Sequence, residues 1–154
     1  MRKPAHDRLD KSRYEMLAAL RHALRRFLGF SEAVARTAGL TPQQHQVLLA
    51  IKGMPNRAFA GVGDVADAML VRHHSAVELT ERLERMGMIR RDRAIKDRRR
   101  VELRLTARGE RALARLTEVH LRELRLLGPV IGGLLATLGI EAGRRAVERA
   151  QPGR

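Results

Sequence analysis

Apolar residues recur every three or four positions along most of the chain, and this spacing predicts helices. The first predicted helix begins at Ser12, where Glu15 three residues later completes a capping box, and it ends at Gly39. Its apolar side consists of Leu17, Leu20, Leu24, Phe27 and Leu28. Because a helix this long and this apolar on one side needs a cover, we expect it to pack against a partner.

The second predicted helix has a clearly marked start. Thr41 stands as its N-cap, Pro42 takes the first helical position, and Gln44 stands where a capping box has Glu or Gln. Its apolar residues are Val47, Leu48 and Ile51. Gly53 is predicted to end this helix.

A glycine-rich loop over 53–63 separates this helix from the next pair, and Val62 in the loop is predicted to be the remnant of a strand. The pair consists of a short helix over 64–70 and, after a brief turn, a helix over about 73–86. The inner side of the later helix is predicted to be Ala76, Leu79, Leu83 and Met86.

Two short strands are predicted after the helix pair, over 88–93 and 100–105, joined by a polar tip. The second strand alternates strictly between polar and apolar residues. Its residues on the core side are then Val101, Leu103 and Leu105. A short helix, a turn, a second helix and a hairpin form a winged helix-turn-helix, so the predicted fold class is mainly α with a small β-hairpin wing.

The last part of the chain is predicted to be helical again. Thr106 caps a long helix that is expected to stop at Gly128-Pro129. A further helical pattern covers 130–150, where several glycines obscure its breaks.

The charge of the chain suggests its partner. The 154 residues carry a net charge of +14 with a sequence pI near 11.6, a balance that favours a nucleic acid. The chain has no cysteine, which excludes disulfides and thiolate chemistry. Its N-terminus lacks the features of a secretory signal, and no apolar run approaches the roughly 18 residues needed to cross a bilayer. We therefore expect a cytoplasmic, nucleoid-associated protein without membrane contact.

Signatures of catalysis are missing from the sequence. It contains no glycine-rich phosphate loop, no nucleophile elbow and no HExxH, so we expect no enzymatic activity and no cofactor. His73 and His74 are the densest set of metal-ligand side chains. Because adjacent side chains on a helix diverge by about 100°, no metal site is expected there.

Residues 63–109 resemble the MarR-type (multiple antibiotic resistance regulator) transcriptional regulators. The resemblance is carried by VRHHSAVELTERLERMGMIRR and by KDRRRVELRLTARG, and it extends more loosely to LTPQQHQVLLAI at 40–51. The family pattern of Asp, one residue and Arg in the wing, followed by Leu-Thr-x-x-Gly, is matched here. The matching residues are Asp97, Arg99, Leu105, Thr106 and Gly109.

This resemblance implies a domain organisation and a function. Residues 1–40 and 106–154 would form the dimerisation helices of a homodimer, and 41–110 the winged helix-turn-helix, with a reading helix at about 73–86 and a wing at about 88–105. The implied function is a sequence-specific regulator of transcription, a repressor acting on a near-palindromic double-stranded operator. A small aromatic or anionic effector would bind between the dimer and DNA lobes.

The residues expected to touch DNA lie at the start of the reading helix and at the wing tip. They are Arg72, His73, His74, Ser75, Lys96, Asp97, Arg98, Arg99 and Arg100. Arg99 is expected to enter the minor groove, where negative potential is concentrated, and Asp97 to hold its guanidinium. Glu78 is unusual on a reading helix, because an acid costs affinity unless it accepts from a cytosine amine or pairs with Arg82.

Three residues are weaker candidates for contact with an effector: Tyr14, His22 and His45. His22 and His45 fall on helices that border the ligand cleft in this family. The competing interpretation is that they are ordinary helix residues with satisfied side chains.

The sequence is also compatible with two other functions. The charge would also suit a non-specific architectural DNA- or RNA-binding protein, although the chain offers only three Phe, one Tyr and no Trp for stacking on bases. Alternatively, the fold could serve as a protein-interaction module or small-molecule carrier that has lost DNA binding.

Overall fold

The computed structural model describes residues 10–93 and 101–137, and in them the chain forms five helices and one antiparallel hairpin. The elements are α1 (Lys11–Thr37), α2 (Pro42–Lys52), α3 (Val62–Met69), α4 (His73–Arg85), β1 (Ile89–Arg93), β2 (Val101–Leu105) and α5 (Ala107–Thr137). This order confirms the predicted mainly α fold with a hairpin wing. The wing tip and the helical pattern predicted beyond position 137 lie outside the described residues.

α1 packs along α5, and its start differs from the prediction. The helix begins at Lys11 with Asp10 as its N-cap, in extended backbone, and the Ser12 hydroxyl donates to the Asp10 carboxylate at 2.8 Å. The capping box predicted at Ser12 is therefore wrong, because Ser12 already lies in the first helical turn. The capping box of α2 is confirmed: Gln44 N donates to Thr41 Oγ1 at 3.2 Å, and Thr41 N donates to Gln44 Oε1 at 2.9 Å.

The hydrophobic core lies between α2, α3, α4, the hairpin and the start of α5. Its fully buried members are Val47, Leu48, Ile51, Ala60, Val65, Ala76, Leu83, Ile89 and Leu103. The predicted inner side of α4 is confirmed, since Ala76, Leu79 and Leu83 are buried and Met86 packs against the same cluster. α4 therefore has its opposite face available to solvent.

The hairpin is held by a third segment, which lies two positions before the strand remnant predicted from the sequence. Leu103 N donates to the Ala60 carbonyl at 2.8 Å, and Ala60 N donates to the Leu103 carbonyl at 3.1 Å. The strand remnant predicted at Val62 is wrong, because Gly61 N donates to Asp64 Oδ2 at 2.6 Å and starts α3 at Val62.

On β2, only part of the predicted core side is buried. Leu103 is buried, Leu105 packs against the core, and Val101 is 37% exposed. Val101 pairs with Arg93 at the far end of the ladder. The hydrophobic core ends before that pair. Strand alternation alone therefore predicted one buried residue too many on β2.

α5 continues through the predicted stop at Gly128-Pro129. Proline disfavours helical backbone at the preceding residue partly through a clash with its Cβ, and Gly128 has none. Leu127 is buried just before the proline, and Ile131 and Leu134 are partly buried after it. Packing on both sides thus offsets the hydrogen bond that Pro129 cannot make. Within the described residues, the helices are too short or too polar to span a lipid bilayer.

Candidate nucleic-acid interface

The turn between α3 and α4 sets the direction of α4, the predicted reading helix. Leu70 adopts a left-handed conformation (φ 54°, ψ 41°) and is 93% exposed, while Val71 N donates to the Ala66 carbonyl at 3.0 Å. A left-handed conformation is uncommon for a residue with a branched side chain, and it costs on the order of 1 kcal/mol. Tertiary packing of α3 and α4 therefore holds the turn in place.

The predicted contact residues of the reading helix lie together at its N-terminal end. Arg72 is the N-cap in extended backbone, and Arg72, His73 and His74 are exposed, with Ser75 partly exposed. Further along the same helix, Arg82 Nη2 lies 3.9 Å from Glu78 Oε2, and both side chains are largely exposed. Glu78 thus has a cation near it on the same helix. Pairing with Arg82 is one of the two conditions under which an acid at this position would not cost DNA affinity.

Three arginines at the base of the wing were not among the predicted contacts. Arg90 lies on the outer face of the hairpin, with its Nε 3.1 Å from Asp92 Oδ2. Arg91 is partly buried against α4, and Arg93 at the end of β1 is exposed. The alternation of side chains along a strand could have distinguished Arg90 from the other two. Arg91 and Arg93 lie on the same face of the hairpin as Leu103, and Arg90 lies on the opposite face. The predicted tip residues Lys96, Asp97, Arg98, Arg99 and Arg100 lie outside the described residues.

A stack of cations on an aromatic ring ties the base of the wing to the loop before α3. The guanidinium of Arg104 lies 4.9 Å from the Phe59 ring centroid, and that of Arg57 lies 5.5 Å from it. Arg104 Nη2 also donates to Glu102 Oε2 at 2.7 Å, and Arg57 Nη2 lies 2.8 Å from Asp64 Oδ1. These contacts orient the hairpin relative to α3.

A cavity of about 340 Å³ beside this stack has four cations in its lining: Lys52, Arg57, Arg90 and Arg104. Each of them lies within 4 Å of a carboxylate. Lys52 Nζ donates to Glu110 Oε1 at 2.7 Å, and this hydrogen bond lowers the pKa of Glu110, which keeps the carboxylate charged. The positive charge of the cavity is therefore already compensated. By contrast, within the described residues no carboxylate lies within 4 Å of Arg72 or Arg93.

The three residues predicted to contact an effector do not converge. Tyr14 and His22 lie exposed on α1, whereas His45 on α2 is only 4% exposed. The His45 ring lies 4.8 Å from the ring of His120 on α5. Within the described residues, no three side chains of metal-ligand type come together.

His120, which the sequence did not single out, is the centre of this junction between α1, α2 and α5. Its Nδ1 lies 2.6 Å from the Leu116 carbonyl, and its Nε2 lies 2.7 Å from Ser31 Oγ. Nδ1 then donates to the carbonyl, because a carbonyl oxygen can only accept. Phe27 and Phe30 contact the same ring edge-on at 6.0 and 5.9 Å.

Because His45 is buried beside His120, we expect the protein to lose stability in mild acid. Burial, and secondarily the nearness of His120, lowers the pKa of His45 below 6.5. The unfolded chain therefore takes up a proton before the folded one does, so the free energy of unfolding should fall as pH drops from about 6.5 to the lowered pKa and then level off. Each unit of lowering corresponds to about 1.4 kcal/mol. Urea unfolding between pH 8 and pH 5 measures this loss.

His45→Gln should reduce this pH dependence, and His22→Gln, at an exposed position of α1, should leave it intact. An unfolding free energy of the parent that does not change between pH 7 and pH 5 would contradict the assignment.

Comparison with known proteins finds similarity to the family that the sequence resembles. Residues 38–100 match the family model described as MarR family. A Thauera aromatica protein named as a candidate transcriptional regulatory protein for the hcr operon is 34% identical over 97 residues, which are 63% of this chain and 57% of the length of that protein.

Two solved structures share the fold. The transcriptional repressor CouR bound to a 23-mer DNA duplex is 28% identical, with a TM-score of 0.59 over 79% of this chain and 89% of the other. NadR in complex with 4-hydroxyphenylacetate is 21% identical, with a TM-score of 0.66 over 98% and 100% of the two chains. The winged helix-turn-helix described above covers the residues that the family model matches, and over those residues the chain is similar to the MarR family.

Proposed function

We propose that the protein binds double-stranded DNA sequence-specifically as a homodimer and represses transcription from a near-palindromic operator. The observation that carries this proposal is the exposed N-terminal half of α4, which presents Arg72, His73 and His74 beside a basic hairpin. A helix of this kind fits the major groove, and its N-terminal residues reach base edges and phosphates. CouR, which shares the fold, is a repressor bound to DNA.

The contacts divide by chemistry. His73, His74 and Ser75 can donate to base edges or phosphates, and Arg72 and Arg93 supply charge to the backbone. Arg99 enters the minor groove and Asp97 restrains it, while Lys96, Arg98 and Arg100 serve phosphates. The assignments at the wing tip follow from the family resemblance.

The homodimer is supported by an uncovered apolar stripe on α1. Tyr14, Leu17, Leu24 and Leu28 recur at intervals of three, seven and four residues, and each is between 45% and 59% exposed. A single exposed apolar side chain is ordinary, but four on one face of a helix are not. A second copy of α1 and α5 would cover them and present two reading helices to successive major grooves, as the two halves of a palindrome require.

An effector is the remaining part of the proposal. A small aromatic or anionic molecule would bind between the dimer and DNA lobes. Of the three candidate contacts, His45 lies at the junction of α1, α2 and α5, and Tyr14 and His22 lie on the exposed side of α1. The neighbour NadR was solved with 4-hydroxyphenylacetate, a molecule of this class. Acting on DNA, the protein would be found on the nucleoid in the cytoplasm.

Selection of duplexes from a random pool, followed by a salt titration of the winner, tests the proposal. Enrichment of a near-palindrome with half-sites about one helical turn apart is the expected result. If all duplexes bound alike and affinity fell steeply with salt, the architectural alternative would hold. That alternative has little support in the described residues, because Phe27 and Phe30 contact His120, Phe59 lies under Arg104, and Tyr14 lies on α1.

Two substitutions at the wing tip should have different effects. Arg99→Ala is expected to weaken binding most on operators with A·T-rich flanks, where the minor groove is narrow. Arg98→Ala, the loss of a phosphate contact, should weaken all sequences alike and flatten the salt slope by about one unit. Anisotropy titrations on duplexes with A·T-rich and G·C-rich flanks measure both. Parental affinity of Arg99→Ala across the salt series would rule out minor-groove insertion.

A further inference from the structure

Arg91 lies within a basic run of the sequence, yet its guanidinium is directed at the reading helix. Its Nη2 donates to Thr80 Oγ1 at 2.8 Å and lies 3.5 Å from the Val77 carbonyl oxygen, and its Nε lies 3.1 Å from Glu84 Oε2. The Arg91 side chain is 23% exposed, and Thr80 is fully buried. A single side chain of β1 thus contacts two successive turns of α4.

The Thr80 hydroxyl is the directional part of this contact. It donates to the Val77 carbonyl at 2.9 Å and accepts from Arg91, so both its hydrogen-bonding capacities are used. The Arg91 Nε, in contrast, has no hydrogen bond of good geometry within the described residues despite its nearness to Glu84. Glu84 therefore attracts the Arg91 guanidinium by its charge, and Thr80 orients it through a directional hydrogen bond.

The neighbouring arginines show that this arrangement is particular to Arg91. Arg90 lies on the opposite face of the hairpin beside Asp92, and Arg93 is exposed at the end of β1. Arg91 alone of the three is partly buried and hydrogen-bonded to the reading helix. Its charge is thus directed away from the surface that would meet a phosphate.

We propose that Arg91 is a positioning residue for DNA recognition, anchored on Thr80 and Glu84 so that the reading helix and the wing keep one fixed angle. The inference rests on the proposed function and adds a determinant of its specificity. A specific site requires both elements to reach their grooves together, whereas non-specific binding depends on total charge. Loosening the anchor should therefore reduce discrimination between sequences without changing the salt dependence.

Thr80→Val and Thr80→Ser form a matched pair for this test. Valine has nearly the shape of threonine without the hydroxyl, and serine keeps the hydroxyl without the methyl group. Affinities are measured for the selected duplex and for a scrambled duplex of equal composition, over a salt series. We expect Thr80→Val to lower the ratio of specific to non-specific affinity by about tenfold at an unchanged salt slope, and Thr80→Ser to keep the parental ratio.

Arg91→Lys tests the same contact from the other side. Lysine keeps the charge but lacks the planar fork that reaches Thr80 and Glu84 together, so the ratio should again fall at an unchanged slope. A parental ratio in Thr80→Val or in Arg91→Lys, or an equal loss in Thr80→Val and Thr80→Ser, would overturn the proposal. So would a salt slope flattened by about one unit in Arg91→Ala, since that marks a phosphate contact.

Hydrogen exchange without DNA separates this inference from the proposed function. If the parent protein does not discriminate between duplexes, the proposed function fails, and the anchor is judged by exchange alone. We expect Arg91→Lys and Thr80→Val to speed amide exchange in α4 and β1 and to leave α5 unchanged. Exchange that is unchanged in α4, or that rises equally throughout the chain, would overturn the anchor as well.

Discussion

Replacing Leu24 and Leu28 together with glutamate is expected to convert the protein from a dimer into a monomer and to weaken binding to a near-palindromic duplex by roughly 100-fold or more. Both leucines belong to the half-exposed stripe of α1. Charges placed there would be buried without partners in a dimer, and each winged helix-turn-helix would then bind its half-site alone. Light scattering gives the mass, and anisotropy on full and half operators gives the affinity.

Leu49→Glu is the matched control. Leu49 is 48% exposed, much like Leu24 and Leu28, but it lies on α2 and not on the stripe. The control should stay dimeric and bind the full operator as the parent does. If the double variant had the parental mass, or if Leu49→Glu dissociated equally, α1 would not be the dimer interface.

Gly109→Ala is expected to lower the free energy of unfolding by about 3 kcal/mol. A Cβ at this position would overlap the carbonyl oxygen of Met88, because the first turn of α5 lies directly against that peptide. The oxygen cannot easily yield, since it accepts from Thr106 N at 3.0 Å. Urea denaturation measures the loss.

Gly63→Ala provides the comparison, because no atom lies within 4 Å of the Cβ it would add in α3. Alanine is a better helix former than glycine, so this variant should be as stable as the parent or more stable by up to about 1 kcal/mol. A Gly109→Ala protein of parental stability would mean that α5 can shift away from Met88.

These contacts explain physically why Leu-Thr-x-x-Gly closes the hairpin. Thr106 Oγ1 donates to the Gly87 carbonyl at 2.6 Å and accepts from Gly109 N at 3.1 Å, so it joins the end of α4 to the start of α5. Gly109 then allows α5 to approach closely. The spacing of three residues between Thr106 and Gly109 is the spacing from an N-cap to the backbone donor that it satisfies.

The features that the sequence alone determined are those that depend on neighbours along the chain. The capping box at Thr41 and Gln44 joins residues three apart, and the inner side of α4 follows from helical periodicity. Gly87 supplies the positive φ of 67° that ends the helix, and Thr106 caps α5 as predicted. Together these local signals were sufficient for the order of elements and for the helix at 73–85.

Only the tertiary structure decided the features that join distant parts of the chain. α5 continues past Pro129 because residues on both sides of it pack, and Ala60 rather than Val62 joins the hairpin because its partner, Leu103, lies more than 40 positions away. The same holds for His120, which meets Ser31 of α1 and His45 of α2. Arg91 stands in a basic run of the sequence, and only the fold brings it onto Thr80. Such roles depend on burial and on hydrogen bonds between residues that are distant in the sequence. The spacing of residues along the chain does not predict these contacts.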